Sequence, residues 1–564
     1  MTGTTPRFLD DVDTMCVDHL RDGMAVHVAS TMSRPNAMLM AIARSLGGRA
    51  RFTISCNAFH ANMHALVMAG VVRRAITCFA GDTYPSPRPN PLYADLAEGV
   101  PFPVEEWSLM SLAQRLVAGA TGAPVAISTS LIGTDLERGL ASADPPLLTR
   151  LDGERAVLLP ELRPDVTLLH AACADRQGNL YLYGPLGEGW WGAMAAREGV
   201  LATAERVVEE PPEGMTRIPA DRAIAITPCE FGAHPQGIPA LPQCGIPGYL
   251  DDYDYLTELA EDCRSPRTRK RWFTHWVTEV KDHYGYRART GKPRPGPDGL
   301  ATWPSRSATA PSPTPAKDVE PTWRERHIVL AARAIVDRVL EGGHRTLVAG
   351  IGVSHVATWL AAQWLRDQGH PVQVHAELGL IDMRPEPGDV FLFSQRHVAN
   401  CGAFGSTLDV LGALTPGTGR HTLGVLSAGE IDARGRINSS RTSTGGFLVG
   451  SGGANDFASR FEVLVVAPAS PKRYVERTGF VTCPGDRVGT VVSQYGRLTR
   501  EHPGEDFRLR TWCPPFGRQD ADPLRTLRDS TRWPLPDSVP VPERPIDFDE
   551  VARLRALDPE GIYR

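Results

Sequence analysis

The chain has 564 residues, 42% of them hydrophobic and 22% charged, with 60 Lys and Arg against 65 Asp and Glu for a formal charge of −5. That composition supports a large globular core and argues against disorder, and the acidic balance argues against a broad nucleic-acid footprint. No apolar run approaches the ~20 residues of a membrane span, and the acidic opening MTGTTPRFLDDVDTMC does not read as a signal peptide.

In chain order, short β-rich runs alternate with helical patterns, the signature of an α/β fold. AVHVA (25–29) precedes the helix-like NAMLMAIARSL (36–46). RFTIS (51–55) precedes the helical HANMHALVMAG (60–70), and AITCFAG (75–81) reads as the next strand. PVAIS (124–128), DVTLLHA (165–171) and NLYLYG (179–184) follow. Between 291 and 321 lie eight prolines among Ser, Thr and Ala with no hydrophobic period, which predicts an extended tether between two domains. Beyond it, ERHIVLAARAIVDRVLEGG (325–343) is a helix by spacing, followed by the strand TLVAGIG (346–352) and the helix SHVATWLAAQWLRDQG (354–369). PVQVHA (371–376), DVFLF (389–393), TLGVLSA (422–428) and FEVLVVAP (461–468) read as later strands.

The halves echo each other. DGMAVHVASTMSRPNAM (22–38) matches GGHRTLVAGIGVSHVAT (342–358) as turn, strand, small-residue turn and helix. TLLHAACADRQGNLYL (167–182) matches LGVLSAGEIDARGRINS (423–439) as strand, D-x-x-G turn and strand, with Asp175 and Asp432 capping the turns. Two copies of one α/β domain are expected, with a ligand site at their mutual interface.

Glu377 stands just past a buried strand and before Leu378-Gly379, where a carboxylate can project into a cleft beside small residues. Gly350 and Gly352 flank one strand end, and Gly450, Gly452 and Gly453 crowd a turn whose backbone N–H groups can face a ligand oxygen. A carboxylate nucleophile with backbone donors suits acyl transfer. Cys56, His60 and His64 lie four apart, but no fourth metal ligand is apparent and their neighbours read as core. There is no complete GxGxxG, no Walker lysine and no GxSxG elbow. The ten cysteines form no CxxC pair, so reduced thiols and a cytoplasmic location are expected.

The chain resembles the family I coenzyme A transferases, in particular the glutaconate CoA-transferase branch with alpha and beta subunits fused. The first half carries ALVMAGVVRRAITCFAGD, EEWSLMSLAQRLVAGATGAPVA, GTDL, RPDVTLLHAACADRQGNLY, FGAHPQG and DDYDYL; the second carries VAGIG, the AELG turn, AGEIDARGRINS and GSGGANDFAS, and EVARLRALDPEGIY closes the chain. The resemblance implies two tandem open-sheet α/β/α domains of the NagB/RpiA/CoA-transferase-like type: an alpha-like domain over 1–286, a linker over 287–322, a beta-like domain over 323–512 and a packed extension over 513–564. It places the catalytic glutamate at Glu377, which forms an acyl anhydride and then a glutamyl-CoA thioester. Gly452 and Gly453 are then the candidate oxyanion donors, and Gly350, Gly352 and Asn455 complete the CoA-binding set. Glu105 and Glu106 read as a solvated helix start, and the resemblance adds the alternative of acid–base carboxylates near the site. The substrates implied are an acyl-CoA and a carboxylic acid, with no permanently bound cofactor and no metal; homo-oligomerisation is left open. Ala376 and Leu378 beside the glutamate, the IDMRP turn, ASTMS (29–33) and QRHVANCGAF (395–404) depart from the family pattern and leave the substrate open. An acyl-CoA or ring-cleaving hydrolase and a non-catalytic CoA-binding protein are the alternatives.

Overall fold

A computed structural model describes residues 6–31, 33–144, 146–296, 299–306, 319–417, 419–442 and 444–564. The first half is organised by a sheet whose main strands are β1 (Ala25–Val28), β2 (Phe52–Ser55), β3 (Val72–Thr77), β4 (Val104–Glu106), β5 (Val166–Asp175), β6 (Gly199–Val208) and β7 (Ala223–Pro228). They lie in the order β7-β6-β5-β1-β2-β3-β4, and every neighbouring pair along it is parallel. All ten residues of β5 are buried, as a central strand covered on both faces requires. Helix α1 (Asn36–Ser45) follows β1, and α2 (Leu109–Thr121) starts at Ser108, whose hydroxyl accepts the Ser111 N–H.

In the second half, α3 (Trp323–Gly342) begins with a capping box between Thr322 and Glu325 and ends at Gly343 in the left-handed region. It leads into β8 (Thr346–Ala349), α4 (Val353–Asp367) and β9 (Gln373–His375), then β10 (Thr422–Leu426), the short helix α5 (Ala454–Ala458), β11 (Glu462–Val466) and β12 (Val488–Ser493). The order β9-β8-β10-β11-β12 is parallel throughout, and β13 (Gly496–Thr499) and β14 (Arg508–Leu509) extend it antiparallel. It repeats the first half's β2-β1-β5-β6-β7 strand for strand. The D-x-x-G turns repeat as well: Gly178 N–H donates to Asp175 C=O at 3.0 Å, and Gly435 N–H to Asp432 C=O at 2.8 Å, both glycines at positive φ.

Several expectations need correcting. DVFLF is not a strand: Phe391 and Leu392 pack as loop residues, with Phe391 edge-on to Tyr84 and Tyr253 of the first half. The run PVAIS forms Val125–Ser128 in a separate antiparallel sheet with Leu148–Leu151 and Glu154–Pro160. Helix His283–Thr290 runs across the boundary expected at 286. Residues 307–318 of the expected tether lie outside the described residues, but 299–306 are ordered against the first half. There Ala301–Thr302 pairs with Arg294–Pro295, and Trp303 Nε1–H donates to Leu250 C=O at 2.8 Å. The C-terminal helix Phe548–Leu557 is held to α3 by Arg333–Glu550 at 2.5 Å and Arg555–Glu325 at 2.8 Å.

One apolar cluster joins the halves, bringing Cys78, Leu109 and Met110 against Val410, Leu411 and Phe457. No described helix is long and apolar enough to cross a membrane.

Candidate active site

Glu377 sits at the tip of a tight turn directly after β9. The turn closes through Ala376 N–H to Leu380 C=O at 2.9 Å and Gly379 N–H to Ala376 C=O at 3.0 Å. Gly379 has φ +114°, and a Cβ there would lie 2.1 Å from the Gly405 carbonyl oxygen, so only glycine closes this turn against its neighbour. The first half grips the same turn, with Gly187 N–H donating to Leu378 C=O at 3.0 Å and Leu186 N–H to Gly405 C=O at 2.8 Å.

The Glu377 carboxylate rests on Gly453, where a Cβ would stand 2.2 Å from Oε2. The side chain is partly exposed yet accepts no hydrogen bond from the described residues. Burial, with the neighbouring Asp456 charge adding to it, raises its pKa to about 7. Asp456, on α5, is itself raised to about 6 by burial, opposed by the Met110 N–H that its Oδ2 accepts at 3.0 Å.

The expected amide donors meet different fates. Gly350 N–H donates to Val425 C=O at 3.0 Å, Gly452 N–H to Cys78 C=O at 2.8 Å, and Gly352 N–H to His355 Nδ1 at 2.8 Å. These three are committed and do not point into the cleft as free donors, which corrects the reading of Gly452 as an oxyanion donor. Gly453 N–H has no acceptor among the described residues, and the side of Gly453 where a Cβ would stand abuts the carboxylate. Asn455 is buried and bridges the halves: its Nδ2 donates to Ser130 C=O at 2.9 Å and its Oδ1 accepts from Ser451. It therefore holds the glycine turn across the two halves.

Glu105 and Glu106 are not at a helix start; both lie on β4. Glu105 is held by Arg115 at 2.7 Å, Arg74 at 2.5 Å and Trp107 Nε1–H at 2.8 Å. Glu106 accepts the Ser440 hydroxyl at 2.6 Å and faces Arg441 at 3.9 Å, tying the first half to the second. Both are engaged in structural contacts, so neither is poised as a free acid or base. Cys56, His60 and His64 do not share a helix face, because the helix spans only Met63–Met68. His64 instead meets the Tyr93 hydroxyl at 2.8 Å and Asp82 at 3.2 Å.

The first half supplies the opposite wall, which the sequence reading missed. The Cys78 thiol, pushed up by burial, feels Glu377, Glu188 and Asp456, so it lies among all three. Glu188 is raised to about 8 by burial, opposed by Arg34; it accepts Ser30 N–H at 3.1 Å and Asn57 Nδ2–H at 3.3 Å. Arg34 is buried and donates to Asn57 Oδ1 and to Ala58 C=O, both at 2.5 Å. The signal was present: Gly187-Glu188-Gly189 is another carboxylate between small residues, and ASTMS marks the turn that feeds Ser30 into it.

Residues 10–220 match the family model for coenzyme A transferase. One of the subunits of 3-oxoadipate CoA-transferase from Pseudomonas knackmussii is 29% identical over 192 residues, covering 33% of this chain and 64% of that protein. An uncharacterized protein of Archaeoglobus fulgidus is 29% identical over 187 residues, covering 32% of this chain and 40% of its own length. The chain thus spans less than two thirds of each of these relatives. The apoenzyme structure of an acyl-CoA transferase from Escherichia coli O157:H7 superposes with a TM-score of 0.63 at 13% identity, covering 98% of this chain and 97% of that one. The likeness is one of fold, and a single chain of that protein spans both halves of this one.

Proposed function

We propose, from the match of residues 10–220 to the coenzyme A transferase family model, that this chain moves CoA from an acyl-CoA to a carboxylic acid, with Glu377 as nucleophile. The observation that carries this is an ionisable carboxylate without a hydrogen-bond partner among the described residues, on a turn that the first half contacts, resting on a glycine whose N–H has no acceptor among them.

In this reading the Glu377 oxygen attacks the thioester carbonyl of the acyl-CoA. The C–S bond breaks, leaving an acyl–glutamyl anhydride and CoA thiolate. The thiolate attacks the glutamyl carbonyl of the anhydride, expelling the acyl carboxylate and leaving a glutamyl-CoA thioester. The acceptor carboxylate then attacks that thioester and the two steps run in reverse, so each bond broken is matched by one of similar activation and no ATP is consumed. Each step passes through a tetrahedral oxyanion, for which Gly453 N–H is the donor at hand, a contribution of about 3 kcal/mol when well aligned. A pKa near 7 leaves a large ionised fraction at neutral pH while keeping the carboxylate basic enough to attack.

The test is mass spectrometry of the full chain after incubation with an acyl-CoA and no acceptor. CoA is expected on the peptide containing Glu377, and Glu377→Ala should lose both the adduct and about 10³-fold or more of the transfer rate. Free acid released by water with no adduct would instead establish hydrolysis.

A further inference from the structure

A second cleft, of about 410 Å³, lies apart from Glu377 on the second half, at the carboxyl ends of β11 and β12. It is lined by Pro468–Ser470, Arg473, Gln494, Tyr495 and residues 514–516, and by Trp323 and Arg326 from the first turns of α3. Its size is that of a small-molecule site, and the carboxyl edge of a parallel sheet is where open α/β folds take ligands.

The walls carry two arginines and no carboxylate. Arg326 is 9% exposed; it donates to Cys513 Sγ and Pro514 C=O, stacks on Phe516 at 4.2 Å, and leaves Nε without a partner. Arg473 likewise has a buried Nε with no partner. Neither arginine forms an ion pair among the described residues, although arginines elsewhere in the protein, such as Arg333 and Arg555, have carboxylate partners. Two guanidiniums held in a cleft without a counter-charge favour an anion, and the planar fork suits phosphate. Beside them stand Trp323, 46% exposed, Phe516, 48% exposed, and Tyr495, which are stacking surfaces for a flat ring. The loop that forms the floor is fixed, because the Gln494 side chain donates to Ala469 C=O at 3.1 Å and accepts Ala469 N–H at 2.6 Å.

We infer that this cleft binds a nucleoside phosphate, with the base against Trp323 and Phe516 and the phosphate between Arg326 and Arg473. Two sources share that chemistry: the nucleotide end of the CoA substrate, or a free nucleotide bound as an effector. The first deepens the transferase reading and rests on it; the second does not. Strand spacing allows the first, since β9, which ends just before Glu377, is three strands from β11, about 14 Å at ~4.8 Å per step. A pantetheine arm is about as long as four to five extended residues, about 15 Å.

The experiment is calorimetric titration of the full chain with 3′,5′-ADP and with AMP. Saturable binding is expected, weakened about tenfold or more by Arg473→Gln and, independently, by Trp323→Ala, which alters only a half-exposed side chain. Absence of saturable binding to either probe, or binding unmoved by both substitutions, overturns the inference. Glu377→Ala should bind ADP as the parent does, so a failure of the transferase reading leaves this result standing. A rise in the KM for acyl-CoA but not for the matching acyl-pantetheine in Arg473→Gln assigns the site to the coenzyme. ADP binding with neither KM moved assigns it to a free nucleotide.

Discussion

The two halves share a strand order but use the same edge of it differently. In the first half the residues after β2 and around 187–189 are bound into one network: Arg34 on Asn57, Asn57 on Glu188, Glu188 on the Ser30 amide. In the second half Glu377, two residues past the end of β9, is a carboxylate with no hydrogen-bond partner among the described residues. The two halves repeat one scaffold, and the difference lies in hydrogen-bond completion: Glu188 is bound into a network, and Glu377 has no hydrogen-bond partner among the described residues. Both carboxylates are raised by burial, to about 8 for Glu188 and about 7 for Glu377, so titration alone does not separate them. Their partners do.

The largest effect after loss of Glu377 itself is expected from the glycine beneath it. Gly453→Ala would place a methyl 2.2 Å from Oε2, so the carboxylate must leave its position. Transfer activity should fall about 10²- to 10³-fold with the fold intact, measured as kcat/KM beside a thermal melt. Gly452→Ala is the control: it meets nothing within 4 Å, and its φ of +54° costs about 1 kcal/mol of stability. If both variants lose activity equally, Gly453 has no special place under the nucleophile.

How legible was this in the chain? The parallel core was, because Val/Ile/Leu runs with little polar alternation, such as TLLHA and EVLVV, suit strands covered on both faces. So were the duplicated D-x-x-G turns and the Ala376–Gly379 region, whose glycine and carboxylate follow one another directly. What was not legible depends on contacts made far along the sequence. That Gly452 N–H is taken by Cys78, and Gly453 N–H by nothing, is decided by a first-half strand end more than 370 positions away. DVFLF has a strand's composition, but Asp389 at its head accepts the hydroxyls of Tyr253 at 2.6 Å and Ser394 at 2.5 Å, which pins it as a loop between the halves. Glu106 looked available until Ser440 arrived from the other half.

A smaller effect should appear in the pH profile. In the proposed reaction ionised Glu377 is the attacking form, so kcat/KM should rise about tenfold per unit below pH ~7 and level off above it. Asp456→Asn removes a like charge, which favours the ionised form, so the midpoint should move down toward the usual carboxylate range. A midpoint unmoved by this change would mean that burial alone sets the nucleophile.

The smallest effect on turnover is expected from the wall. With its pKa at about 8, Glu188 is largely protonated at pH 7, and Glu188→Gln reproduces that neutral form with its acceptor oxygen. Activity at pH 7 should change less than about fivefold, while stability should separate the two proteins in a definite direction. Below pH 4.5 the group is protonated folded and unfolded alike, so parent and variant share the same slope. Between 4.5 and about 8 the unfolded chain ionises first and the folded protein holds the extra proton, so the parent loses stability as pH rises and the glutamine variant does not. The gap should open to about 4 kcal/mol by pH 8 and level off above it, read as the difference in denaturant midpoints across that range. A gap of the opposite sign would mean that Arg34 holds Glu188 ionised, and the first half would then offer the cleft a salt-bridged wall in place of a neutral one.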